Sequence, residues 1–98
     1  MTPIAVDQTV AELLLRYAKL IVARGYVIFD YDVPADLLEP ACRLTPGIES
    51  PTVAPLHDQA WVAVRALVPR PDTNRIMDEL YDLGARGILV TDIHACRL

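Results

Sequence analysis

A few side chains in this sequence have the types that chemistry uses. Asp30 and Asp32 stand two apart in the run YVIFDYD, so on an extended chain their carboxylates project from one face, together with Ile28. Such a pair suits acid–base work, a divalent ion or the cationic end of a small ligand. No nucleophile and no basic partner lies near them in sequence, so binding or solvation at a strand end is the reading they favour. Thr52 offers a hydroxyl between two prolines; beside Asp32 it could help hold a zwitterion, the carboxylate taking an ammonium or imidazolium. His57, His94, Cys42 and Cys96 are potential metal ligands, but their spacing fits no zinc pattern, and His94-x-Cys96 alone is a weak signal. Neither a glycine-rich phosphate loop nor a Ser–His–Asp set is present. The sequence therefore points to no catalytic residues, no metal and no cofactor.

The bulk properties narrow the partners. At 98 residues the chain is the size of one domain, and its net charge of −4 comes without a basic stripe, which argues against nucleic acid and anionic membrane. No apolar run approaches the roughly 18 residues of a membrane span. The opening MTPIAVDQ has no basic segment of the kind a signal peptide carries. Two cysteines in a chain that needs no staples read as reduced thiols, and the expected location is cytoplasmic.

The elements that must position Asp32 and Thr52 alternate between strand and helix. Thr9 and Glu12 fit a capping box for a helix from Val10 to about Ala23, with Gly25 as its end and residues 1–8 as a tail. That helix has two apolar stripes, one with Leu13, Leu14, Tyr17 and Ile21 and one with Leu15, Ala18 and Val22, so covering on more than one side is expected. Tyr26–Asp32 reads as a central strand. A helix follows Pro34, short, kinked or started late because of Pro40. Residues 50–56 form a strand whose Pro51 and Pro55 require an edge.

Trp61 to Val68 alternates cleanly. Val62, Val64, Ala66 and Val68 should meet the helices, leaving Trp61, Ala63, Arg65 and Leu67 on the other face. A second helix buries Ile76, Met77, Leu80 and Leu83 and ends at Gly84, and residues 87–93 make the last strand. The βαββαβ order is a split βαβ unit: an α+β, ferredoxin-like two-layer sandwich over 25–98, with an additional N-terminal connector helix over 1–24. One sheet face is left open and carries Trp61 and aliphatic residues, a patch that favours self-association.

From about Val22 to Leu98 the chain resembles the C-terminal regulatory domain of the long-form ATP phosphoribosyltransferases, which open histidine biosynthesis. The carriers are FDYDVP (29–34), LTPGIESPTVAPL (44–56), WVAVRALVP (61–69), IMDEL (76–80) and GARGILVTDI (84–93), and the closing DIHACRL looks most like actinobacterial versions. The resemblance implies a non-catalytic, ferredoxin-like domain that binds L-histidine as a feedback inhibitor. It also implies a homo-oligomer, trimeric or hexameric, and a catalytic domain that these residues do not contain. By the match, Asp32 falls on the ligand-contacting aspartate, and Ile48, Thr52, Leu67 and Gly87 on the remaining pocket positions. Ile48 stands where leucine is common and Gly87 where alanine is common. Two other readings stay open: an assembly module with a vestigial pocket, and a free-standing sensor of another small metabolite.

Overall fold

The computed structural model describes residues 3–47 and 50–94. The elements run α1 (Pro3–Gly25), β1 (Tyr26–Pro34), a 3₁₀ turn over 35–37, α2 (Leu38–Leu44), β2 (Thr52–Pro55), β3 (Trp61–Pro69), a 3₁₀ turn over 70–72, α3 (Thr73–Leu83) and β4 (Arg86–Asp92). The four strands form one antiparallel sheet in the order β2-β3-β1-β4, which is the ferredoxin-like arrangement.

Both central strands are those expected, and the proline-bearing strand lies at an edge, paired only with β3. Pro55 sits opposite Val62 without needing an amide donor on its outer side. At the tip of this hairpin Asp58 accepts a hydrogen bond from the Ala60 amide (3.1 Å) on its side chain and one from the Trp61 amide (3.0 Å) on its carbonyl. The two faces of β1 alternate strictly. Val27, Phe29, Tyr31 and Val33 are buried, and with Val64, Val68, Ile76 and Leu80 they form the core under α2 and α3. Ile28, Asp30 and Asp32 lie on the open face. Tyr31 carries its hydroxyl into this core, where it shares a 2.8 Å hydrogen bond with the buried Thr45; both hydroxyls also reach the Ala41 carbonyl, at 3.4 and 3.3 Å. Burial raises the Tyr31 pKa above its ordinary 10.0, against a smaller lowering by the bond to Thr45.

Pro40 proves less awkward than its residue type suggests. It occupies the first turn of α2, where an amide has no intrahelical partner, so the helix is short and starts late rather than kinking. The strand ends move slightly: β1 continues to Pro34, β2 shrinks to 52–55, and β4 runs 86–92 rather than 87–93.

The N-terminal helix departs further from expectation. It begins at Pro3, so Thr9 and Glu12 lie inside it rather than at its start, and residues 3–8 are helical rather than a tail. Proline is well tolerated at a first helical position, and nothing in residues 4–8 breaks the helix. Nor does this chain cover its two apolar stripes: Leu13, Leu14 and Tyr17 are each more than half exposed, and among the described side chains of α1 only Val22 is buried. The helix runs off the end of the sheet, giving overall dimensions of 61 × 25 × 20 Å. Its junction with β1 is fastened by Arg70, whose guanidinium donates to the Arg24 carbonyl (3.0 Å), the Tyr26 carbonyl (3.5 Å) and the Asp92 carboxylate (2.8 Å).

Candidate functional site

The open sheet face is where the polar residues gather, because the period of two that buries Phe29 and Tyr31 turns Asp30 and Asp32 outward. Across the strands the register builds rows. Thr52 lies opposite Arg65, Arg65 opposite Asp30, and Asp30 opposite Leu89. One pair further along, Ala54 meets Ala63, and Ala63 meets Asp32. A depression of about 290 Å³ spans these two rows, lined by Asp30, Asp32, Thr52, Ala54, Ala63 and Arg65 among others.

Asp32 therefore shares its surroundings with Thr52, as the sequence suggested. Gly87 joins them from β4. The pairing of β1 with β4 is irregular between Asp30 and Asp32, and Gly87 takes φ +61 there, a left-handed conformation that glycine adopts without steric cost. A Cβ at position 87 would lie 3.6 Å from Asp32 Oδ2, so the missing side chain leaves room beside the carboxylate.

Leu67 is not brought to the same corner. It pairs with Ile28, four residues along β1 from Asp32, a distance of roughly 13 Å on an extended strand. It lines a neighbouring depression of about 170 Å³ with Ile28, Ser50, Thr52 and Arg65. Thr52 and Arg65 thus border both hollows. Leu67 thus stands opposite the other end of β1 from Asp32, apart from the hollow that Asp32 and Thr52 line. Ile48 lies outside the described residues.

Sequence proximity also missed a partner. Asp30 does have a basic neighbour: Arg65 Nε donates to Oδ1 at 2.8 Å and Nη2 to Oδ2 at 3.3 Å. This cross-strand pair raises the Arg65 pKa, first through the hydrogen bond and then through the charge of Asp30. Arg65 is 35 residues from Asp30 in the chain, and the signal that could have found it was the β1–β3 register. His57 is exposed in the hairpin turn and His94 follows β4. Cys42 is a free, half-buried thiol on α2 whose pKa burial pushes up, and Cys96 lies outside the described residues. Among the described residues no three His, Cys, Asp or Glu side chains group as metal ligands, and no helix is long and apolar enough to cross a membrane.

Comparison with protein families places the chain. Residues 23–95 match the family model described as HisG, C-terminal domain. The chain belongs to that family. Its curated relatives include the ATP phosphoribosyltransferase of Paenarthrobacter aurescens, 64% identical over 86 residues that make up 88% of this chain and 30% of the relative. Those of Salinispora tropica (65% over 86 residues, 88% and 31%) and Streptomyces avermitilis (57% over 94 residues, 96% and 33%) are similar as well. The chain spans about a third of the length of these relatives. The matched region includes α2, all four strands, α3 and the Asp32–Thr52–Gly87 neighbourhood.

Proposed function

We propose that residues 25–98 form a histidine-binding regulatory domain, non-catalytic in itself, that takes part in feedback control of ATP phosphoribosyltransferase in the cytoplasm, with α1 as the connector to the partner it controls. The observation that carries this reading is the shared depression. Asp32 and Thr52 line it together, and Gly87 leaves space at the carboxylate. A carboxylate accepts a charge-assisted bond from an ammonium or imidazolium group, and the Thr52 hydroxyl can donate or accept beside it. The hollow has room for an amino acid. Family membership, with the histidine-inhibited domain that the resemblance implies, favours histidine over other zwitterions. Calorimetric titration of the purified chain with L-histidine is the test. Saturable one-to-one binding is expected, and a flat titration overturns the reading.

The exposed stripes of α1 support a second element of the proposal, self-association of the domain as a trimer or a dimer of trimers. Leu13, Leu14, Tyr17 and Ile21 are apolar surface that a soluble monomer rarely leaves uncovered. Light scattering at high micromolar concentration should give a mass above that of one chain; a monomer there refutes it. If the assembly forms and histidine does not bind, the chain is an assembly module with a vestigial pocket. If another metabolite saturates the site, it is a sensor for that metabolite.

A further inference from the structure

The open sheet face holds a cation as well as anions, and the cation has unused donors. Among the described Lys and Arg residues, Arg65 is the one whose side chain lines the hollow with Asp32 and Thr52. Arg86, the other basic strand residue, is committed elsewhere: its guanidinium donates to the Tyr81 and Ala85 carbonyls and lies 4.1 Å above the Tyr81 ring. Arg70 is occupied at the α1 junction.

Arg65 meets Asp30 side-on, through Nε and Nη2. That contact fixes the guanidinium over the sheet and leaves its other edge, the Nη1–Nη2 fork, without a protein partner in the hydrogen bonds described. A fork of this kind matches a carboxylate in two parallel bonds. Asp32 lies two residues from Asp30 on the same face, on the order of 7 Å along the strand. Cation and anion are therefore spaced by about the length of one amino acid, across a single depression that holds both.

We infer that Arg65 is the carboxylate-recognising, specificity-determining residue of this site. The bound amino acid lies across the sheet with its α-carboxylate on the Arg65 fork and its cationic group on Asp32. Asp30 acts as a positioning residue that holds the guanidinium upright. This deepens the reading of the domain as a histidine binder and rests on it. The ligand class it defines is amino acids with a free α-carboxylate; histidinol and histamine, which keep the imidazole and the amine, lack the group that Arg65 reads.

The experiment is calorimetry on the full chain with L-histidine and with histidinol, for the unmodified protein and for Arg65→Met, Arg65→Lys and the double variant Asp30→Asn/Arg65→Met. The unmodified protein should prefer histidine over histidinol by ten- to a hundredfold, the factor that charge-assisted hydrogen bonds contribute. Arg65→Met should lose that preference by weakening histidine binding while changing histidinol binding less than about twofold. Arg65→Lys should restore part of it. The double variant removes the aspartate that the single one leaves unpaired, and it too should lose the preference. Thermal melts close to the unmodified protein confirm that each variant folds, as expected for a side chain two-thirds exposed. Equal affinity of the unmodified protein for the two ligands, or an Arg65→Met protein that still prefers histidine, overturns this inference alone. Absence of histidine binding by the unmodified protein overturns the broader reading with it.

Discussion

The two faces of the central strands differ more than any two separate elements of the molecule, although they are built from alternate residues of one stretch. On one side of β1, Val27, Phe29, Tyr31 and Val33 are almost wholly buried. On the other, Ile28, Asp30 and Asp32 stand within reach of solvent and carry the charges of the candidate site. The covered side is held by apolar contact, which is non-directional and proportional to area removed from water. The open side is organised by register, which decides that Arg65 meets Asp30 and Thr52 meets Arg65. Neighbouring residues of β1 should therefore fail in different ways when altered, one through loss of folding and the next through loss of binding.

The most severe break comes from the covered side. Phe29 is fully buried in the middle of the sheet, and Phe29→Ala should cost about 3–5 kcal/mol, a large share of the stability of a domain this size, read as a collapse of the denaturation midpoint. The next comes from the open side. Asp32→Asn keeps the shape and removes the charge, and histidine affinity measured by calorimetry should fall by roughly ten- to a hundredfold with the melt of the ligand-free protein nearly unchanged. Equal affinities would move the site elsewhere.

Gly87→Ala tests the junction of the two faces. Its Cβ would make only an ordinary 3.6 Å contact with Asp32 Oδ2, but φ +61 is unfavourable for alanine, so a loss of about 1–2 kcal/mol is expected in chemical denaturation. The smallest effect belongs to Tyr31→Phe. Removing the hydroxyl forfeits the bond to Thr45, which keeps its own bond to Ala41, for about 0.5–1.5 kcal/mol. This variant also sharpens the pH dependence. Because the folded-state pKa of Tyr31 is raised, its contribution is fully present below the unfolded value of 10.0 and is lost as pH rises through the folded one. Melts taken above pH 10 should fall less steeply in Tyr31→Phe than in the unmodified protein.

Much of the fold was legible in the sequence because its signals are local. Pro51 and Pro55 demand an edge, Trp61 to Val68 alternates in a way that only a strand with one covered face requires, and Pro40 limits α2. The site was legible only in part. Asp32 and Thr52 line one hollow, but the placing of Leu67 away from it and the pairing of Arg65 with Asp30 both depend on which residue of β1 faces which residue of β3. That register is fixed by a connection running through a helix, a strand and a turn, and no residue near Asp30 announces it. Residues 3–8 were misjudged for the opposite reason. A well-formed capping signal at Thr9 was outweighed by a continuous stretch with nothing to stop a helix from starting earlier.

The bond from Arg70 to the last turn of α1 has a mechanical meaning. The helix has 23 residues, a rod of roughly 35 Å at 1.5 Å per residue. It enters β1 with no intervening loop, and one guanidinium grips the carbonyls on both sides of the joint. A rod clamped at one end works as a lever. A tilt of about 5° at the clamp carries the far end by about 3 Å, from the same helix dimensions. Small rearrangements of the sheet at its Tyr26 end are thus magnified at Pro3, far from any atom that moved first.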